Sequence, residues 1–161
     1  MRKNSPTPES DAKRFWAKVA KGDGNECWLW TGSLVGNGYG HFIVRDRFVY
    51  VHRFSYEITN GPIPHGMYID HICHIRNCVN PKHMRLATWA ENCHNMKIKK
   101  SNKCGLKGVY YHGGNKNKPW MAQIVVGCKH IYLGLYSTKE DAHNAYCDAA
   151  VKYHGEFANF G

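Results

Sequence analysis

The feature that most constrains this chain is the stretch Asp70-His71-Ile72-Cys73-His74-Ile75-Arg76-Asn77-Cys78-Val79-Asn80-Pro81-Lys82-His83, in which Cys73, Cys78 and His83 are spaced C-x4-C-x4-H. Zinc prefers thiolate and imidazole and takes four such ligands in a closed structural site. Cys27 is the expected fourth, because it opens the run Cys27-Trp28-Leu29-Trp30 and its two tryptophans belong in a core. His74 and Cys93 are its competitors. Seven cysteines is an odd number, which argues against a complete disulfide framework. The N-terminal residues MRKNSPTPESDAKRFW hold no apolar segment of a secretory signal. Without export, clustered Cys and His read as metal ligands before bridges. A small, loop-rich domain has a modest core, and a structural metal offsets that. Inert, buried cysteines are the competing reading.

Asp70, His71 and Asn92 carry a different chemistry. The oxygens of Asp70 and Asn92 suit a hard cation such as Mg²⁺ that keeps several waters. On alternating strand positions Asp70 and His71 face opposite ways, so both reach one site only at a twisted strand end. His71, with an ordinary pKa near 6.5, can act as a neutral general base. The plainer alternative is a surface Asp-His pair with an unrelated Asn.

Length allows one domain or two small ones, at 161 residues. Lys and Arg outnumber Asp and Glu by 22 to 12, a net charge of +10. Such a surplus favours a polyanionic partner, nucleic acid first. No stretch approaches the ~18 apolar residues of a membrane span, and no long basic amphipathic helix stands out. Charge and spacing divide the chain near residue 100. The run 96–107, MKIKKSNKCGLK, has five lysines and no acid, and reads as a linker tracking phosphates.

In the first half, Ser10 is expected to cap a helix that puts Phe15, Trp16 and Val19 on one face. Residues 38–44 and 48–54 form a hairpin around Arg45-Asp46-Arg47, followed by a short helix at 55–59. A strand at 68–71 and a return strand at 84–87 flank the cysteine loop. Thr88-Trp89-Ala90-Glu91 is a capping box for a helix to about Lys100. In the second half, 108–111, 120–126 and 131–136 read as strands, with turns at 113–115 and 127–130. Ser137-Thr138-Lys139-Glu140 reads as a second capping box. Ala142, Ala145, Tyr146, Ala149, Ala150 and Tyr153 then form one helical stripe ending at Gly155.

Taken together, C-W-L-W-T-G, G-Y-G-x-F, H-R-x-S-Y-E, G-P-I-P-x-G, D-H-x-C, C-V-N-P-x-H and T-x-x-E-N resemble the HNH endonucleases of phages, over residues 13–95. The cysteine spacing also resembles the His–Cys box homing endonucleases, which share the ββα-metal fold. The resemblance implies hydrolysis of a DNA phosphodiester with one divalent cation, Mg²⁺ or Mn²⁺. By position it makes His71 the general base, Asp70 and Asn92 the ligands of the catalytic ion, and Cys27, Cys73, Cys78 and His83 the zinc ligands. In many HNH nucleases the position of Asn80 orients the base and that of His83 binds the catalytic metal; here zinc is favoured for His83. Arg53 or Arg76 could contact the phosphate.

Residues 105–161 resemble the plant ethylene-response-factor type of DNA-binding domain, through G-V-Y, W-x-A-Q-I, Y-L-G-x-Y, T-x-E-x-A and H-G-x-x-A-N-F. In that family a three-stranded sheet lies in the major groove, backed by a helix. The matching contacts are Lys107, Tyr110, His112, Gln123 and Tyr132, with Lys116, Lys118 and Lys129, and the linker's Lys97, Lys99 and Lys100, on phosphates. No arginine follows Arg85, so strict reading of guanines is not expected.

The expected fold is α+β: a zinc-stabilised ββα-metal nuclease domain at 1–95, a basic linker at 96–106, and at 107–161 a three-stranded antiparallel sheet packed on one helix. The expected function is site-specific DNA cleavage of homing type on double-stranded DNA. The expected protein is a monomer without membrane or small-molecule partner, in the cytoplasm of a phage-infected bacterium. A DNA-binding regulator that does not cut is the alternative, and an RNA-directed nuclease stands behind both.

Overall fold

The computed structural model describes residues 8–98, 101–127 and 129–161. The fold is α+β, built of short antiparallel sheets and four α-helices among the described residues. It divides into two compact units, Met1–Ala87 and Thr88–Gly161.

In the first unit, helix α1 (Pro8–Trp16) is followed by the paired short strands β1 (Val19–Ala20) and β2 (Leu29–Trp30). Helix α1 is already under way at Pro8, so Ser10 is a helix residue and not its cap. Strands β3 (His41–Val44) and β4 (Arg47–Tyr50) form the expected hairpin. Its turn is Arg45-Asp46 alone, both at positive φ (47° and 62°). That is the turn whose twist matches paired strands. The second strand stops early: Val51–Asn60 is helix α2, so Val51 to Phe54 are helical rather than extended. Burial decides this, since Val51, His52 and Ser55 turn one helical face inward. The Ser55 hydroxyl donates to the Val79 carbonyl at 2.6 Å and ties the helix to the cysteine loop. Strands β5 (Tyr68–His71) and β6 (Met84–Ala87) pair as expected, with Asp70 opposite Arg85. The core gathers Phe15, Trp30, Phe42, Val51 and Val79, with Phe15 stacked on Trp30 at 5.3 Å.

The second unit begins at the Thr88 capping box. Its helix α3 is short, Trp89–His94, and does not run to Lys100; Lys99 and Lys100 lie outside the described residues. Strands β7 (Val109–Tyr111), β8 (Trp120–Val126) and β9 (Lys129–Tyr136) form one antiparallel sheet in that order. Lys129 and His130 belong to β9 rather than to the turn, and Cys128 lies outside the described residues. Helix α4 (Lys139–His154) packs on the sheet through Tyr146, Ala149 and Ala150 against Ile124, and through Ala142 near Val109 and Ala122. Tyr153 is 42% exposed, so the stripe ends before it. The cap is Thr138 with Asp141, one residue beyond the box read from the sequence. Gly108 sits at φ +76°, and a Cβ there would lie 2.0 Å from the Tyr146 ring. Only glycine lets ring and strand meet.

Candidate metal centre and active site

Two distant segments converge on the cysteine loop because their backbones pair. The Val79 amide donates to the Trp28 carbonyl at 2.8 Å, and the Trp30 amide donates to that of Asn77 at 2.9 Å. These bonds carry Cys27 to Cys78. Asn80, fully buried, locks the arrangement. Its side-chain nitrogen donates to the Glu26 carbonyl at 2.7 Å, and its oxygen accepts from the Lys82 amide at 3.0 Å. That second bond caps the 3₁₀ turn Pro81–His83. In this chain Asn80 therefore organises the cysteine loop.

The sulfurs of Cys27, Cys73 and Cys78 and a nitrogen of His83 all lie within 4.8 Å of one another. His83 Nδ1 is 3.4 Å from Cys27 Sγ and 3.7 Å from Cys78 Sγ. Ligands at ordinary Zn–S and Zn–N lengths around a tetrahedral centre stand about 3.5–3.8 Å apart, so the donor set fits zinc in chemistry and spacing. His83 Nε2 donates to the Asn25 carbonyl at 3.1 Å, which leaves Nδ1 as the lone-pair nitrogen facing the thiols. The group includes neither His74 nor Cys93. The thiols are electrostatically linked. The hydrogen bond from Cys78 holds Cys73 down to about 5, the same contact and burial push Cys78 up, and burial raises Cys27.

His71 is buried at the end of β5. Its Nε2 lies 3.2 Å from the Cys78 carbonyl. A carbonyl only accepts, so Nε2 carries the proton and neutral His71 has its lone pair on Nδ1. Burial, above any neighbouring charge, lowers its pKa and keeps it neutral. The rings of His52 and Tyr39 stand 5.1 Å and 6.0 Å from it. Asp70, also buried, accepts from Arg85 Nε at 2.9 Å across the β5–β6 ladder. Both Asp70 and His71 are thus buried, on successive strand positions.

His52, which sequence reasoning passed over, is 7% exposed. Burial first, then His71 and Arg53, lower its pKa to about 3. Only the H-R-x-S motif marked it. Arg85 was equally invisible until the strand register placed it beside Asp70. Arg76, expected on the phosphate, donates to the Asn37 carbonyl at 2.7 Å and lies over the Tyr39 ring. Arg53 is half-buried on α2.

Asn92 lies on α3, its amide bonded to the Thr88 carbonyl at 3.0 Å. On the sheet, Gln123 and Tyr132 are cross-strand partners. Tyr110 and Tyr132 are 44% and 61% exposed, and His112, Lys116, Lys118 and Lys129 lie at the surface, as does Lys97 before the sheet. Lys107 departs from the expectation of a sheet contact. Its ammonium turns inward, and burial lowers its pKa to about 8.

The HNH endonuclease family model matches residues 49–94, which span α2, the cysteine loop and α3. Protein 7.7 of Escherichia phage T7 is 40% identical over 74 residues, 46% of this chain and 57% of that protein. Protein 3.8 of the same phage is 34% identical over 117 residues, 65% of this chain and 84% of that protein. The chain belongs to one family with T7 protein 3.8, and it carries an HNH endonuclease domain. A mimivirus protein of Acanthamoeba polyphaga, named an uncharacterized HNH endonuclease, is 33% identical over 109 residues, 67% of this chain and 54% of that protein. Both the cysteine loop and His71 fall inside the HNH match. No helix among the described residues is long and apolar enough to cross a membrane.

Proposed function

We propose that this HNH protein is a site-specific DNA endonuclease of homing type, acting on double-stranded DNA as a monomer inside a phage-infected bacterium. The observation that carries the reading is the His71 ring, fixed by its bond to the Cys78 carbonyl with a lone pair on Nδ1. In this reading Nδ1 takes the proton from the attacking water. Cys27, Cys73, Cys78 and His83 would hold a structural zinc, which would set the loop carrying that carbonyl. Asp70, oriented by Arg85, and Asn92 would hold the catalytic Mg²⁺ or Mn²⁺. Among the described residues no second cluster of three Cys, His or acidic groups accompanies Asp70. Such an ion would therefore keep several waters, as Mg²⁺ does. When bound it offsets the charge that develops on the departing 3′ oxygen. Arg53 serves as a candidate phosphate contact. The division of labour follows the likeness of the second half to ethylene-response-factor domains: residues 1–95 cut, residues 96–106 link, and residues 107–161 read a duplex groove. Gln123 and the exposed Tyr110, His112 and Tyr132 form the reading face, with Lys97, Lys116, Lys118 and Lys129 on phosphates.

The test is incubation with supercoiled phage DNA and Mg²⁺, followed by sequencing of the broken ends. His71→Ala should cut ~10²–10⁴-fold more slowly, the usual worth of a positioned base, with DNA binding intact. Binding without cleavage by the unaltered protein would transfer it to the non-cutting alternative.

A further inference from the structure

The bond from His71 Nε2 to the Cys78 carbonyl holds one point of the imidazole. One point does not hold a ring, because the terminal torsion of histidine is broad and roughly two-fold. Two further rings of the first unit pack against it. His52 meets His71 edge to face, at 5.1 Å and 61°, and Tyr39 meets it at 6.0 Å and 47°. His52 and Tyr39 also meet each other, at 5.0 Å. The three rings thus close a triangle within the distances of aromatic contact. The triangle is anchored to the loop that carries the carbonyl. His52 and Ser55 lie three residues apart, on the inward face of α2. The Ser55 hydroxyl is bonded to the carbonyl of Val79, the residue after Cys78. The Val51 amide donates to the Gly40 carbonyl at 3.1 Å, which joins the start of α2 to the residue after Tyr39. Arg76 of the cysteine loop covers the Tyr39 ring at 5.6 Å. His52 is also an expensive choice for packing. Its Nδ1 is buried with no hydrogen-bond partner among the described residues. A buried polar atom left unbonded costs stability that an apolar side chain would not.

We propose that His52 is a positioning residue for DNA cleavage: its ring, set against His71 beside Tyr39, keeps the imidazole on the Cys78 carbonyl, so that Nδ1 is the nitrogen offered to the attacking water. The inference rests on the reading of His71 as general base. Every group in it belongs to the first unit. His52 touches neither DNA nor metal in this role. Because burial keeps it neutral, it sets no like charge against His71.

The full-length protein, His52→Ala, His52→Leu, His71→Ala and the double variant His52→Ala, His71→Ala are compared for kcat and KM on supercoiled phage DNA with Mg²⁺. DNA binding is measured separately by gel shift in EDTA, and folding by circular dichroism. A small misplacement of a reacting group costs up to about 10²-fold in rate. His52→Ala should lower kcat by ~10–10²-fold and leave KM and binding unchanged. In the His71→Ala background the same change should cost nothing further, because residues that act as a unit are not additive. His52→Leu fills the space without a ring and without the unbonded nitrogen. It should fold at least as stably as the parent and still cut slowly, a split that a purely structural histidine does not give. A wild-type rate in His52→Ala, with His71→Ala slow, overturns the proposal and leaves His71 as the base. A loss that multiplies in full onto His71→Ala makes His52 independent of the base and also overturns it. A raised KM at unchanged kcat makes His52 a DNA contact, with the same result. A wild-type rate in His71→Ala removes the reading of the base and the proposal with it. If His52→Ala is unfolded, His52→Leu and its double variant with His71→Ala decide by the same criteria.

Discussion

Acidification from pH 7 to pH 5 should cost the first unit about 2 kcal/mol through His52 alone. The native pKa of this imidazole is about 3 and its ordinary value is 6.5, with burial as the main cause. The unfolded chain therefore binds a proton between these values that the native chain refuses. Stability is intact above pH 6.5 and falls as the pH drops toward 3. At pH 5 the unfolded state has gained roughly 1.5 units of protonation free energy over pH 6.5, at about 1.4 kcal/mol each. At 7% exposure, solvent screening does little to reduce this. The full span to pH 3 approaches about 5 kcal/mol, comparable with the whole stability of a small domain. The assay is urea unfolding followed by tryptophan fluorescence, to which Trp16, Trp28 and Trp30 of the first unit contribute, at both pH values, for the unaltered protein and His52→Gln. Protonation of the Cys27, Cys73, Cys78 and His83 cluster in acid affects both proteins alike, so the difference between their pH increments isolates His52. The variant should lose about 2 kcal/mol less than the parent. Equal losses would refute the argument, because His52 would then accept its proton in the folded state.

Elemental analysis should find one tightly held zinc per chain, and Cys73→Ser should unfold the first unit because metal binding and folding are coupled; zinc-free yet folded and active protein would contradict the assignment of the four ligands. Gly108→Ala should destabilise the second unit by at least the about 1–3 kcal/mol of an overpacked core, read as a lowered thermal midpoint, because the added methyl meets the Tyr146 ring at positive φ. Tyr132→Ala should weaken duplex binding with little change in its salt slope, while Lys118→Ala should flatten that slope by about 0.9 in log–log units, the value of one released counterion.

Much of the Cys–His cluster was legible because ligand chemistry writes itself into spacing. Cys73, Cys78 and His83 announced a site, and the flanking tryptophans identified Cys27. What escaped was anything that depends on register or on distant backbone. The pairing of Asp70 with Arg85 exists only once β5 and β6 are aligned. Asn80 reads as a loop polar residue until Glu26 and Lys82 are brought to it. Val51 to Phe54 are apolar enough for strand or helix, and burial of Val51 and His52 chose the helix. Lys107 belonged to a lysine-rich run, and nothing local showed that three acceptors would enclose it.

Cys78 has a double attachment: its thiol belongs to the ligand cluster, and its carbonyl receives His71. On the proposed function, selection for a folded first unit and selection for cutting fall on the same position. On that reading a lineage would not exchange a zinc at this cluster for a larger core and keep the imidazole in place without rebuilding that turn. On the same reading recombination meets that constraint, since a breakpoint anywhere between Cys27 and His83 separates the four side chains of the cluster. The stretch from Cys27 to His83 should thus travel between genomes as one block, while the segments around it remain open to exchange.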